Sequence, residues 1–262
     1  MTTRWYAPSA DMGLPRERGP FRPDMVKDGD RYEISRGHPV YSAPAGGRHG
    51  NKQLVGALPI ATDPAVTEAG IDVGYATDEH TLRAPDLAVG NVPDRPGWVS
   101  GAPALAIEYA DRGTDEDELQ SKIRELHAAG TQLIWVVRLV GPRRVDVYGR
   151  EREPFTVGSG GLLDAEGHLS QPLPVDALFD PDRANEVALN NLLRRGGHGT
   201  IDEVRAKGRS EGRSEGLRTA IETACGLLDI PVEDARRAWL DVATLPELET
   251  LLSHLRTHRE WP

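Results

Sequence analysis

Cysteine is nearly absent from this 262-residue chain: Cys225 stands alone, which excludes an intramolecular disulfide framework and a cysteine-rich zinc site. No apolar run approaches the ~20 residues that a membrane-crossing helix needs, so no membrane partner is expected. Residues 1–13 lack the charged-then-apolar pattern of a signal peptide, and a reduced cytoplasmic protein is the natural expectation. Positive charge is also in deficit, with 31 Lys and Arg against 41 Asp and Glu, for a net charge of −10. A field of that sign repels phosphates and argues against charge-driven, non-specific nucleic-acid binding. Taken alone it favours a small-molecule enzyme or a protein-binding module. It does not exclude a nuclease, because the carboxylates that hold a divalent cation are part of the negative count.

What is present suits one globular core with an appendage. Residues 1–24, rich in Pro, Gly and Arg, read as a loose N-terminal arm. Asp28-Gly29-Asp30 turns into a strand at Arg31-Tyr32-Glu33-Ile34, and residues 38–41 can complete a hairpin. A short helix is expected over residues 49–58. Strand candidates follow at 71–75, 85–89 and 104–109, the last almost continuously apolar, as a strand covered on both faces would be. Acidic residues 115–118 then open a helix over 116–129, with Leu119, Ile123 and Leu126 on one face and Gly130 as its stop. Residues 134–137 and 144–148 read as further strands. The pattern is α/β or α+β, compatible with a mixed sheet.

After about residue 182 the texture becomes charged and helical, giving an expected division into 1–24, 25–182 and 183–262. Within the last segment, residues 208–216 repeat Gly-Arg-Ser-Glu, either as a glycine-weakened helix or as a flexible linker. Leu245, Leu248, Leu252 and Leu255 form an apolar stripe after the cap Thr244. Packing on a helix over 235–240 is the first expectation for that stripe, and a homodimer through the C-terminal helices is the other.

The chemistry centres on acids at positions where acids are costly. Asp86 opens an apolar strand and Glu108 interrupts another, and a buried carboxylate needs a partner or a metal. They lie 22 residues apart, enough for a strand, a turn and a return on the neighbouring strand. Two such carboxylates can converge on one hard divalent cation. Lys122, on the helix that follows the Glu108 strand, can return to them and help a metal-activated water attack a phosphodiester.

At these residues the chain resembles the bacterial Uma-type (Uma-two) endonucleases, a branch of the PD-(D/E)XK restriction-endonuclease-like superfamily. The likeness runs from Val26 to Phe179. It is carried by residues 28–33, Ser42-Ala43-Pro44 with His49, Arg83-Ala84-Pro85-Asp86, Ile107-Glu108-Tyr109, Lys122, Gly130 and Ile134-Trp135-Val136-Val137. It implies an α/β restriction-endonuclease-like core, a mixed central sheet flanked by helices, here followed by a C-terminal helical extension. It further implies Mg²⁺ or Mn²⁺ held by Asp86, Glu108 and the Tyr109 carbonyl, with Lys122 catalytic, Glu33 supporting the metal or its water, and DNA as substrate. His49 matches a recurring position of no assigned role. Asp111 departs from the family, which commonly has Ser there; an extra carboxylate could bind a second metal or repel phosphate. A catalytically weak or inactive nuclease-fold module that binds nucleic acid or protein as a regulator is therefore the competing expectation. Trp98, in a loop, is suited to packing or to base stacking. Arg143-Arg144 and Arg194-Arg195 could contact phosphates or lie solvated.

Overall fold

The computed structural model describes residues 19–262, so most of the expected N-terminal arm lies outside the described residues. The chain divides into two compact units, with the boundary between Arg195 and Gly196.

In the first unit, β1 (Tyr32–Ser35) and β2 (His38–Tyr41) form an antiparallel hairpin. Helix α1 (Gly47–Ala61) follows, longer at both ends than residues 49–58. Six strands come next: β3 (Ala69–Ile71), β4 (Tyr75–Asp78), β5 (Thr81–Arg83), β6 (Leu87–Val89), β7 (Val99–Ser100) and β8 (Leu105–Ala110). Helix α2 (Glu116–Ala129) leads to β9 (Leu133–Arg138), β10 (Arg144–Gly149), β11 (Phe155–Gly158), β12 (Leu162–Leu163) and β13 (Leu173–Pro174), and α3 (Pro181–Arg195) closes the unit.

The strands form a mixed six-stranded sheet, β11-β10-β9-β8-β6-β3, a five-stranded sheet, β2-β1-β5-β4-β7, and the small β12-β13 pair. In the larger sheet β8 and β9 are parallel, joined by the α2 crossover, and their neighbours are antiparallel. This is the mixed, helix-flanked architecture that the sequence implies. Among the described residues, no helix is long and apolar enough to cross a membrane.

Strand alternation decides which side chains meet which layer. Every residue of β8 is buried. Leu105, Ile107 and Tyr109 join the core that contains Ile60 and Leu178, while Ala106 and Ala110 join α2 through Leu119, Ile123 and Leu126. Glu108, between those two alanines, therefore belongs to the α2 face. Helix α2 begins at Asp115, whose carboxylate accepts from Asp117 N (3.0 Å) and Glu118 N (3.2 Å), and ends at Gly130 with φ +121°. On the opposite face of β8, α1 comes so close that a Cβ on Gly56 would lie 1.8 Å from the Tyr109 hydroxyl.

Residues 71–75 are not one strand. The chain leaves the six-stranded sheet after Ile71 and enters the five-stranded sheet at Tyr75, and Asp72 takes φ +52° at the switch. The alternating pattern hid this break, although Asp and Gly74 are residues suited to it. The return switch, from β5 to β6, runs through Ala84-Pro85-Asp86. These two crossings lie side by side, with Asp72 N donating to Asp86 O at 3.4 Å.

The division between units falls after α3 rather than at residue 182, because α3 is anchored on α1. Asn191 donates to Pro59 O (2.9 Å), and Arg195 donates to the carbonyls of Asp63 (2.6 Å) and Val66 (2.9 Å). Arg195 is thus a structural residue, and Arg143 pairs with Asp176 at 3.2 Å.

The second unit contains α4 (Ile201–Leu227), α5 (Asp234–Val242) and α6 (Leu245–His258). The Gly-Arg-Ser-Glu repeat is helical, inside α4. Leu248 and Leu255 of the stripe, with Leu251, pack with Ile221 and Cys225 of α4 as well as with Leu240 of α5, and Leu252 is partly buried beside them, so α6 packs on α4 as well as on the expected helix. Thr244 and Glu247 form a reciprocal cap, with the Glu247 carboxylate accepting from Thr244 N at 2.7 Å.

Two glycine substitutions test this packing in opposite directions. Gly56→Ala is expected to destabilise the first unit by about 1–3 kcal/mol through overpacking against Tyr109. Gly212→Ala, where an added Cβ meets nothing within 4 Å, should stabilise α4 by about 1 kcal/mol. Urea unfolding followed by circular dichroism checks both, and a neutral Gly56→Ala would contradict the close approach.

Candidate active site

The site lies where the two sheets part. Strand β6 pairs with β8 only through Leu105, Ala106 and Ile107, so β8 runs on beyond its neighbour. The Tyr109 N–H, left without a ladder partner on that edge, donates to Asp86 Oδ2 at 2.6 Å. In an extended strand a residue's N–H and C=O project to the same edge, so the Tyr109 carbonyl also faces the Asp86 side.

Asp86 is held from three sides. His49 Nε2 lies 3.0 Å from its Oδ1, and Gln53 Nε2 donates to its backbone carbonyl at 2.8 Å. Both residues project from α1, one turn apart. The hydrogen bond to Asp86 raises the His49 pKa against the opposing effect of burial, helped by the charges of Asp86, Glu108 and Asp72. Gln53 also reaches Asp72 Oδ1 at 3.4 Å. Burial, then the charge of Asp86, holds the Asp72 carboxyl above the usual range.

Glu108 and Lys122 face each other across the β8–α2 interface, with Glu108 Oε1 2.9 Å from Lys122 Nζ. Lys122 shares the inward stripe of α2 with Leu119, Ile123 and Leu126, and its side chain is 11% exposed. It donates to Ala84 O at 2.7 Å and to Glu33 Oε1 at 3.1 Å. Burial alone would lower its pKa; the carboxylates of Glu108, Glu33 and Asp86 outweigh burial and keep the ammonium charged. Burial is also the main influence on Glu108, whose carboxyl is pushed up to about 8; Asp86 and Glu33 add to the rise and Lys122 opposes it.

Glu33 has both oxygens engaged, Oε1 by Lys122 and Oε2 by Arg83 at 3.3 Å. Arg83 is fully buried and also donates to Glu125 Oε2 and Glu118 Oε1, each at 2.6 Å. A buried guanidinium requires such partners. This network ties β1, β5 and α2 together behind Lys122.

The structure thus brings Asp86, Glu108, Tyr109, Lys122, Glu33 and His49 to one cavity of about 860 Å³. It adds Asp72 and Gln53 to the cavity and buries Arg83 behind it, roles that sequence reasoning did not assign. Asp111, the departure from the family pattern, is ion-paired with Arg48. Trp98 packs its ring against Gly74 and donates to Pro23 O at 3.0 Å, which commits its indole N–H to the fold.

Among the described residues no cluster of three or more His, Cys, Asp or Glu side chains has the arrangement of a metal cage. Two carboxylates and a main-chain carbonyl are a different donor set, all oxygen, and of the kind Mg²⁺ and Mn²⁺ accept with waters completing the shell. Glu108, buried with the Lys122 ammonium beside only its Oε1, keeps acceptor capacity on its other oxygen, which fits such an ion.

The class of protein is thus an α/β fold with a mixed sheet flanked by helices, and acids and a lysine gathered where its strands diverge. The chain belongs to the Uma2 family, described as "Putative restriction endonuclease", whose model matches residues 21–173. Its fold is similar to the crystal structure of a putative nuclease belonging to DUF820 from Anabaena variabilis ATCC 29413, at 20% identity and a TM-score of 0.50 over 56% of this chain and 89% of that one. None of the curated proteins matches.

The raised Glu108 carboxyl has a measurable consequence for stability. Between its unfolded value near 4.5 and about 8, the folded protein retains a proton that the unfolded chain has released, so this group makes stability fall as pH rises through that window. In metal-free buffer, the melting temperature of Glu108→Gln relative to wild type should rise from pH 5 to pH 8. A difference independent of pH would contradict the burial of an ionisable group there.

Proposed function

We propose that this protein is a Mg²⁺- or Mn²⁺-dependent endonuclease that hydrolyses phosphodiester bonds in DNA, a member in chemistry as well as fold of the PD-(D/E)XK type. The observation that carries the reading is the meeting of Asp86, Glu108 and Lys122 in one cavity, from three different elements, with Glu108 at a depth where a lone carboxylate is unfavourable. Asp86, Glu108 and the Tyr109 carbonyl are the residues that would hold the ion. When bound, the ion would polarise the phosphodiester and activate water for in-line attack.

The chain's own groups divide the remaining work. Lys122 keeps its proton and supplies positive charge beside the carboxylates, where negative charge builds on the phosphoryl oxygens in the transition state. Glu33 acts as a positioning residue: with both oxygens engaged by Lys122 and Arg83, it aims the ammonium rather than ligating the ion. His49 and the Tyr109 N–H hold the Asp86 carboxylate in one orientation. A homodimer through the C-terminal helices draws little support from the leucine stripe, because its Leu248 and Leu255 are buried inside the second unit and Leu252 is partly so.

Incubation of purified protein with single- and double-stranded DNA and Mg²⁺ or Mn²⁺ should yield cleavage. Asp86→Ala and Glu108→Ala should abolish both cleavage and calorimetric binding of the ion. Lys122→Met should lower kcat by about 10²–10³ while ion binding persists. Tight, carboxylate-dependent ion binding without cleavage would instead favour the regulatory module, and cleavage unchanged in Glu108→Ala would refute the assignment.

A further inference from the structure

Around the cavity, seven carboxylates face four cations, and one of those cations, Lys122, is buried and committed to Glu33, Glu108 and Ala84 O. A polyanionic substrate must find its counter-charge elsewhere at the mouth. Arg48 is placed for this. It occupies the first turn of α1, immediately before His49, and thus one residue from the group that holds Asp86. Its side chain is 46% exposed.

Arg48 is not idle in the free protein. Its Nε donates to Asp111 Oδ2 at 2.8 Å and its Nη2 pairs with Asp111 Oδ1, a two-pronged bond. Asp111 is in turn fixed just beyond β8. Its Oδ1 accepts from Arg112 N at 2.7 Å, and its own N–H is bonded to Thr114 Oγ1 at 3.0 Å. The pair joins the start of α1 to the loop after β8, across the mouth of the site. The guanidinium retains N–H donors beyond those two prongs, and no other partner takes them among the described residues. A phosphate diester offers the same planar pair of acceptor oxygens that the Asp111 carboxylate offers, and so competes for the same fork.

We propose that Arg48 grips the phosphate backbone of the nucleic-acid substrate at the mouth of the site, and that Asp111 occupies the same guanidinium until substrate displaces it. The inference rests on the nuclease reading and names the residue that binds substrate charge. It also gives Asp111 a role other than ligating a second metal: it acts through Arg48, making binding weaker and dependent on a well-placed phosphate.

The test is a double-mutant cycle read by fluorescence anisotropy. The probe is a labelled single-stranded oligodeoxynucleotide, with Ca²⁺ in place of Mg²⁺, and wild type, Arg48→Ala, Asp111→Asn and the double variant are compared. Arg48→Ala should weaken binding about tenfold and reduce the slope of log K against log salt by about 0.7. Asp111→Asn should tighten binding severalfold in the wild-type background and have no effect once Arg48 is gone. If melting shows that Arg48→Ala is misfolded, Arg48→Gln, which can still hydrogen-bond Asp111, is read in its place. Unchanged binding on loss of Arg48, or equal tightening by Asp111→Asn in both backgrounds, would overturn the proposal. If binding survives loss of Arg48 while Glu108→Ala still abolishes cleavage, the grip fails and the nuclease reading stands. Wild-type protein that binds neither this oligonucleotide nor its duplex overturns the grip, and if it also cleaves neither, the nuclease reading falls with it.

Discussion

Glu108 lies on the inner face of a strand with no exposed residue, opposite a lysine that is itself on the apolar face of a helix. Much of the site's arrangement depends on the terms of that meeting. A carboxyl desolvated to this degree favours its protonated form, and a desolvated ammonium favours its neutral form; each is kept ionisable only by charges brought close to it. Glu33 and the Ala84 carbonyl serve Lys122 in this way, and Arg83 serves Glu33. Arg83 in turn needs Glu118 and Glu125. The charged network therefore extends outward from one unfavourable burial until it reaches side chains that water can solvate.

The second constraint is backbone geometry. Two chain crossings between sheets, at Asp72 after β3 and at Asp86 before β6, keep β6 from extending along β8 and leave the Tyr109 peptide on an open edge of β8. Filling that edge with Asp86 satisfies a main-chain donor and sets a carboxylate beside Glu108 without requiring both acids to lie in the same strand layer. Helix α1 then packs close enough, through Gly56, for His49 and Gln53 to brace the crossing. In this way the edge proposed to hold the ion and the hydrophobic core share the same residues: Tyr109 offers its peptide to the site and its ring to the packing.

Much of this was legible in the sequence, and the parts that were not share a cause. The apolar run of β8 with its single acid, the 116–129 helix and the acid-to-acid spacing all report local patterns. Lys122 rests mainly on the family resemblance, because a lysine on a helix is otherwise unremarkable; the structure places it on the face it shares with Leu119, Ile123 and Leu126. Asp72 was lost because Ile71-Asp72-Val73-Gly74-Tyr75 has the alternation of a continuous strand, and only the change of sheet shows that its Asp bends the chain. The roles of Gln53, Arg83 and Arg48 depend on partners 19 to 63 residues away, which no periodicity encodes. The Gly-Arg-Ser-Glu segment was undecided because its helix propensity is poor, and the helix that contains it is anchored at its other end by Ile221 and Cys225.

The central claim is that Asp86, Glu108 and the Tyr109 carbonyl form one oxygen-rich ion site on the open edge of β8. A crystal of the protein soaked in Mn²⁺, with anomalous scattering used to locate the ion, tests this most directly. The account predicts a single strong anomalous peak within coordination distance of all three oxygens, with Lys122 close to but not bonded to the ion. A peak that contacts neither Asp86 nor Glu108, or no peak at this edge at a saturating soak, would contradict it.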